Sequence, residues 1–330
     1  MKIWQRAALI LLGLSMMASA SATVLRIATL SPDGSAWMQT LRAAAAQIKQ
    51  KTAGRVDFRF YTGGSMGNDN TVLSKIRVGE LAGGAVTLAS LSGSVPDTQL
   101  YSLPMLFQNE AELERARRVM DPLLAGELEK AGWLTFGFAD GGFVYIMSSK
   151  APVASIAQLR QHKVWIPEGD RLSATALRSF RVTPVPLSLG DVLPSLQTGI
   201  IDVVAASPIA TLALQWQTQV HYLNDLPMSY LLGTLAIAQR DFQKLSPADQ
   251  AVVRQVMGEA FRTLDQRNRL DGQAAYRALL AQGVQVVHPD ASAYAAWKAA
   301  SQAAIQNLLA EGMISAAGWA QIRAAIAGHP

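Results

Sequence analysis

Short apolar runs alternate with helical patterns along most of the chain. Strand candidates at 24–30, 56–61 and 84–89 are separated by segments 35–52 and 69–78, in which apolar residues recur every three or four positions. Parallel strands need a crossover connection between them, and that connection is usually a helix. The alternation therefore predicts an α/β sheet.

The same alternation begins again near residue 148. Further strand candidates lie at 163–166, 182–187 and 200–206, and an apolar run at 230–238 is long enough to return the chain to the first block. Domains crossed by two or three strands are typical of binding proteins that close like a hinge. The expected units are 23–144 plus about 231–290 for domain I, 145–230 for domain II, and 291–330 for the C-terminal helices.

Two long helices are expected. The first covers 110–130 and is followed by strands at 133–138 and 143–147, with 139–142 as the link between them. The second covers 246–281, where Ser246 and Pro247 suit the N-cap and first helical positions. At about 1.5 Å per residue it would be roughly 50 Å long, enough to lie across both domains.

The first 22 residues have the pattern of a secretory signal peptide. Lys2 and Arg6 precede an apolar run at 7–17, and the small residues 18–22 follow. The apolar run is shorter than the ~20 residues of a spanning helix, which disfavours an uncleaved anchor. We expect cleavage before Thr23 and a periplasmic protein.

Composition and motifs exclude several classes of function. The chain has no cysteine, so it cannot form a disulfide, a lipid-anchored cysteine or a cysteine-ligated zinc site. The net charge is +5, but the basic residues alternate with acidic residues along the chain and form no basic patch of the kind that binds nucleic acid. No nucleotide-binding glycine motif or metal-ligand spacing appears, so we expect no cofactor and no metal.

One motif is typical of an enzyme. Gly63, Ser65 and Gly67 fit the G-x-S-x-G pattern of a serine hydrolase, between a strand and a helix. No oxyanion motif precedes it, and a glycine-rich turn explains the same residues. A secreted hydrolase using Ser65 is the alternative function.

Small polar residues follow several strands, where ligands of α/β proteins bind. Ser31, Ser90 and Ser207 are such residues. Ser207 with Pro208 also suits a helix N-cap, and for each serine a capping role is the alternative to ligand contact.

Several stretches resemble the substrate receptors of tripartite ATP-independent periplasmic (TRAP) transporters, the DctP-like family. They occur in family order over nearly all of 23–310, and they are 51–56, 64–69, 76–81, 103–107, 184–187, 191–192 and 196–202. The resemblance implies a two-domain α/β periplasmic binding protein with a hinged cleft and a long helix spanning both domains. It also implies that the protein is a monomeric receptor and not an enzyme. Its expected partners are the small and large membrane subunits of a permease, and a periplasmic helper protein is a further candidate partner. A receptor that hands its ligand to a signalling sensor is a third hypothesis.

The chain departs from the family where a carboxylate ligand is gripped. The resemblance places the usual arginines at Trp165 and at or beside Tyr145, the usual asparagine at Ser207, and a stacking aromatic residue at Leu189. An aromatic side chain cannot replace an arginine fork, so we expect an apolar or amphipathic ligand.

Two ligand-binding candidates remain. Asp69 ends a loop expected at the pocket edge, and Trp216 is a further ligand-binding candidate. Alternatively, Trp165 and Tyr145 fill the core and Arg171 supplies the missing charge.

Overall fold

The computed structural model describes residues 22–328. Its strands are β1 Thr23–Thr29, β2 Val56–Tyr61, β3 Gly83–Thr87, β4 Trp133–Leu134, β5 Ala139–Ser148, β6 Trp165–Pro167, β7 Val185–Leu187, β8 Val203–Ala206, β9 Tyr222–Asn224, β10 Ser229–Ala238 and β11 Gln285–Val287. Its helices are α1 Ala36–Lys51, α2 Asp69–Arg77, α3 Glu110–Lys130, α4 Ile156–Leu159, α5 Arg171–Ser179, α6 Val192–Thr198, α7 Pro208–Ala213, α8 Gln239–Phe242, α9 Pro247–Ala281, α10 Ala291–Ala310 and α11 Ala316–Ala327.

One continuous sheet runs through both halves of the molecule. Its main path is β11-β9-β5-β10-β3-β1-β2, with β1 parallel to β2 and β3, and with β10 antiparallel to β3 and β5. The first part of β5 pairs with β10, and its last part pairs with β8 and β9. We call the half around β1, β2 and β3 domain I and the half around β6, β7, β8 and β9 domain II. The two long strands β5 and β10 lie where the halves join.

Helices cover both faces of the domain I sheet. On one face, α1 and α9 pack over a core that includes Leu41, Ile48 and Phe261. On the other face, α2 and α3 pack over a core that includes Ile76 and Leu124. Because helices cover both faces, the central strand β3 is buried at four of its five residues, as strands in such sheets usually are.

Helix α9 confirms the expectation of a long helix that reaches both halves. Its 35 residues begin after Ser246, whose side chain accepts a hydrogen bond from the Asp249 amide at 3.1 Å. The helix packs against α1 in domain I, against β5, and against α7 in domain II. The C-terminal helices also divide between the halves, because α10 packs on α5 and α11 packs on α3.

The link expected at 139–142 is wrong, because these residues belong to β5. The register of β5 against β10 shifts between Leu231 and Leu232, and Gly142 has a φ of +93°. Two adjacent glycines read as a turn in the sequence, but here they form a bulge inside a strand. The preceding strand is also shorter than expected: β4 ends at Leu134, and Gly137 follows with a φ of +114°.

Candidate functional site

Two tryptophans from separate parts of domain II meet edge to face. The ring centroids of Trp165 and Trp216 lie 5.2 Å apart with an interplanar angle of 82°. Trp165 is 5% exposed and Trp216 is 2% exposed. The Trp165 Nε1–H donates to the Leu187 carbonyl at 3.1 Å, so the one polar atom of the indole is satisfied. The pair is therefore a fixed feature of domain II.

Two further candidates pack against the same cluster. Leu189 and Tyr145 are partly buried and contact the apolar residues around Trp165 and Trp216. We call these four side chains the aromatic wall. Parallel pairing of β6 with β7 brings Trp165 next to the segment that leads to Leu189, and β5 supplies Tyr145. The structure thus brings together four residues that lie up to 71 positions apart in the chain.

The surroundings of Tyr145 are acidic. The pKa of the Tyr145 hydroxyl is raised to about 12, chiefly by burial and in the same direction by nearby Tyr276, Asp225 and Glu110. The Tyr145 and Tyr276 rings lie 5.6 Å apart. Of these neighbours, the carboxylates of Asp225 and Glu110 oppose a negative charge placed beside Tyr145.

Ser207 caps helix α7. Its Oγ accepts a hydrogen bond from the Ala210 amide at 3.4 Å, and the side chain is buried. The capping role considered from the sequence is therefore present. A Cβ on Gly142 would lie 3.3 Å from the Ser207 Cβ, which shows how closely β5 approaches the start of α7.

Asp69 and Ser90 lie together in domain I and are linked through Thr87. The Asp69 carboxylate accepts hydrogen bonds from the Thr87 amide at 3.0 Å and from the Thr87 hydroxyl at 2.8 Å. Burial raises the pKa of Asp69, and the two Thr87 bonds oppose that rise. The Ser90 Oγ donates to the Thr87 carbonyl at 2.7 Å. This group, which we call the Asp69 clamp, ties the start of α2 to the end of β3.

Ser31 lies at the end of β1, beside the glycine-rich loop. Its carbonyl accepts a hydrogen bond from the Gly63 amide at 3.0 Å, and its own amide donates to the Thr29 Oγ1 at 3.2 Å. Gly63 and Gly64 have φ values of +62° and +75°. The loop is therefore a turn that needs glycine at both positions.

Ser65 has none of the partners of a catalytic serine. It is exposed, and its amide donates to the Thr62 carbonyl at 3.2 Å. The described histidines that form side-chain ion pairs are elsewhere: His162 pairs with Asp202, and His288 pairs with Asp225. The hydrogen bonds within residues 22–328 include none between a histidine and Ser65.

Arg171, considered from the sequence as a substitute cation, begins helix α5 and is exposed. Among the hydrogen bonds and ion pairs of the described residues, the Arg171 guanidinium has no partner. The side chain does not join the aromatic wall, which is made of apolar and aromatic residues.

Sequence reasoning missed one contact between the two domains. The Asn70 Nδ2 in α2 donates to the Gly169 carbonyl in the turn after β6, at 3.5 Å. Asn70 follows Asp69 directly, and Gly169 comes four residues after Trp165. The contact thus places the Asp69 clamp and the end of β6 on opposite sides of one interdomain mouth. No sequence signal links two residues that lie 99 positions apart.

Two open grooves lie away from this mouth. One has a volume of about 350 Å³ between α3 and α9, and the other has about 340 Å³ between α7 and α9. Neither is lined by a residue that the sequence predicts as a ligand contact. Both are shallow surface features.

Residues 27–311 match the profile of "Bacterial extracellular solute-binding protein, family 7", or DctP. The chain belongs to this family. The 2,3-diketo-L-gulonate-binding periplasmic protein YiaO of Escherichia coli K12 is 24% identical over 68% of this chain and 70% of its own length. As a family 7 protein, the chain is a periplasmic TRAP solute receptor that binds small molecules and not an enzyme, so the hydrolase hypothesis for Ser65 is wrong.

Solved structures share the fold. A TRAP periplasmic solute-binding protein from Sulfitobacter sp. NAS-14.1 with bound β-D-galacturonate has a TM-score of 0.80 at 18% identity, over 92% of this chain and 98% of its own. DctP7 of Bordetella pertussis, a receptor binding pyroglutamic acid, has a TM-score of 0.83 at 20% identity, over 93% and 100%. The expected two-domain α/β binding-protein fold is therefore confirmed.

Receptors of this family work with membrane permease subunits. In the part of the chain that the structure describes, no helix is both long and apolar enough to cross a membrane. The signal peptide expected at 1–22 lies outside the described residues except for Ala22.

Proposed function

We propose that this receptor binds a small apolar or amphipathic solute in the cleft between its domains. The observation that carries the proposal is the aromatic wall, in which the buried pair of Trp165 and Trp216, edge to face at 5.2 Å, packs with the partly exposed Tyr145 and Leu189. Aromatic faces and edges hold flat or aliphatic bodies by burying area, at about 25 cal/mol per Å², with ring contacts adding about 1 kcal/mol.

The charges near the wall support the same ligand class. A buried carboxylate needs a paired cation, and without one its burial costs several kcal/mol. Trp165 and Tyr145 occupy the two places where the family resemblance expects arginine, and the charged groups acting on Tyr145 are Asp225 and Glu110. The similar receptors named above bind 2,3-diketo-L-gulonate, β-D-galacturonate and pyroglutamic acid, all of which are acids. We expect this chain to differ from those receptors in the class of ligand that it binds.

The domain I side of the mouth is more polar than the aromatic wall. Ser31 and Ser90 are partly exposed there, beside the Asp69 clamp. Hydroxyl and backbone groups can satisfy an uncharged polar end of a ligand. A solute with an apolar body against domain II and a hydroxyl, carbonyl or amide group toward domain I would match both sides.

The remaining parts of the proposal concern organisation and delivery. We place domain I at 23–144 plus about 231–290, domain II at 145–230 and the C-terminal helices at 291–330. The receptor acts as a monomer and delivers its solute to the small and large membrane subunits of a TRAP permease, with a periplasmic helper protein as a further partner. Solute binding favours the closed arrangement because the solute contacts both domains only when they are together.

Mass spectrometry of the molecules that co-purify with the protein tests the ligand class. The protein is purified from periplasm without denaturant, and the solute is released by acid and identified. We expect a neutral or weakly polar molecule with an aromatic or aliphatic body in the wild type, and a smaller amount in Trp165→Phe. Trp319→Phe is the matched control, because Trp319 is a partly buried tryptophan on α11. A C4 dicarboxylate or a sugar acid in stoichiometric amount contradicts the proposal.

A further inference from the structure

The Asn70 side chain of domain I reaches the Gly169 backbone of domain II in an exposed, long hydrogen bond. The Asn70 Nδ2 lies 3.5 Å from the Gly169 carbonyl oxygen. A Cβ at position 169 would lie only 2.6 Å from the same Nδ2. Gly169 also has a φ of +83°, a conformation that side chains other than glycine rarely adopt. The backbone conformation of this turn therefore favours glycine at 169, while the flexible end of the Asn70 side chain can move aside for a Cβ.

The domain I side of this contact is held rigidly. The Asn68 Oδ1 accepts a hydrogen bond from the Thr71 amide at 2.9 Å and caps α2. The Asp69 clamp fixes the next residue to Thr87. The Ser74 hydroxyl donates to the Asn70 carbonyl at 2.9 Å. The backbone of Asn70 is thus fixed before its side chain meets domain II.

The domain II side is held by the turn between β6 and α5. The Asp170 amide donates to the Pro167 carbonyl at 3.1 Å, and the Asp170 Oδ1 caps α5 by accepting from the Ser173 amide at 2.9 Å. The Glu168 amide donates to the Leu187 carbonyl at 3.2 Å. That carbonyl also accepts the Trp165 Nε1–H. The turn and the aromatic wall therefore share one hydrogen-bond acceptor.

We infer that Asn70 and Gly169 form a latch that joins the two domains only in the closed form. The inference rests on the proposed function in one respect, namely that the cleft between these domains holds the solute. The latch touches both domains and not the solute, so it stabilises the closed form whatever the solute is. One such exposed hydrogen bond slows solute release by roughly two- to fivefold. One end of the latch is fixed by the Asp69 clamp, and the other end is fixed by the turn that shares the Leu187 carbonyl with Trp165. The latch therefore forms when the Asp69 clamp and the aromatic wall face each other.

A disulfide across the mouth tests the latch without knowledge of the solute. The natural chain has no cysteine, so Asn70→Cys with Gly169→Cys introduces the only two thiols. Oxidised glutathione takes two hydrogens from the pair as the disulfide forms, and the intact mass falls by about 2 Da while glutathione is reduced. We expect this variant to oxidise within minutes at a fixed glutathione ratio.

The control variant is Val78→Cys with Gly169→Cys. Val78 is 79% exposed and follows the last residue of α2, eight residues and about 12 Å beyond Asn70. We expect no intramolecular disulfide in it. Equal oxidation rates in the two variants, or no disulfide in the Asn70 variant while its circular dichroism is native, would overturn the latch.

A second pair avoids strain at position 169. Asn70→Cys with Glu168→Cys keeps the glycine, and a short bismaleimide should bridge it but not Val78→Cys with Glu168→Cys. Failure to bridge the first pair in folded protein would also overturn the latch. If the protein cross-linked through Asn70→Cys retains a sugar acid or a dicarboxylate, the proposed ligand class is wrong while the latch is still supported.

Discussion

Truncation of Trp165 should destabilise the protein strongly. The indole is 5% exposed and packs edge to face against Trp216. Removing a buried tryptophan down to alanine costs about 3–5 kcal/mol of unfolding free energy. Trp165→Phe keeps a ring against Trp216 and should cost only about 1–2 kcal/mol. The phenylalanine variant leaves no unpaired acceptor, because the Leu187 carbonyl still accepts from the Glu168 amide at 3.2 Å.

Urea unfolding followed by far-ultraviolet circular dichroism measures these costs, since tryptophan fluorescence itself changes with the substitution. Trp319→Phe, on the partly buried Trp319, should cost less than about 1 kcal/mol. A double-mutant cycle of Trp165→Phe with Trp216→Phe isolates the contact between the two rings, with an expected coupling of roughly 0.5–1.5 kcal/mol. A cost below about 1 kcal/mol for Trp165→Ala would refute the packing argument.

Four further predictions concern other parts of the chain. N-terminal sequencing of periplasmic protein should begin at Thr23, and an intact Met1 would show that the signal peptide is not removed. A fluorophosphonate probe should leave Ser65 unlabelled, and labelling that disappears in Ser65→Ala would contradict a receptor without hydrolase activity. Arg117→Met should lower the unfolding free energy by about 2–4 kcal/mol, because it removes a buried cation that pairs with the partly buried Asp121 and Asp265, of which Asp265 keeps its ion pair with Arg269. The exposed Arg118→Met should change the unfolding free energy by less than about 0.5 kcal/mol, and similar values for both variants would contradict this account. The pKa of Tyr145 is raised to about 12 in the folded protein from about 10 in the unfolded chain, so the unfolded state loses this proton first and the unfolding free energy should fall as pH rises from about 10 to 12. In an absorbance titration at about 295 nm, Tyr145→Phe should remove a tyrosine that titrates late. A Tyr145 hydroxyl that titrates near 10 would contradict its burial.

Local signals predicted the helices well. Helix α3 occupies the expected residues Glu110–Lys130, and α9 begins after the expected Ser246 cap. Ser207 likewise caps α7 as its position before Pro208 indicated. Such features depend on a few neighbouring residues, so they can be read without knowledge of the rest of the chain.

Features that depend on distant partners could not be read in this way. The bulge at Gly142 exists because β5 pairs with β10, more than eighty residues away. The Asn70 contact with Gly169 needs two domains in a particular arrangement. The segment 88–102 forms two short 3₁₀ helices, which carry no strong periodic signal. The family resemblance placed Trp165 and Tyr145 in the site region, but it carried no information about their packing partners Trp216 and Tyr276.

The most direct test of the proposed ligand class is isothermal titration calorimetry of the solute-free protein against a panel of candidate solutes. The panel contains C4 dicarboxylates, sugar acids, sialic-type acids, aromatic acids and fatty acids, each also titrated into Trp165→Ala that has been shown to be folded. We predict that aromatic or aliphatic solutes bind and that Trp165→Ala weakens their binding by roughly 2–4 kcal/mol, while small dicarboxylates and sugar acids bind poorly. Micromolar binding of a C4 dicarboxylate that is unchanged in Trp165→Ala would contradict the account.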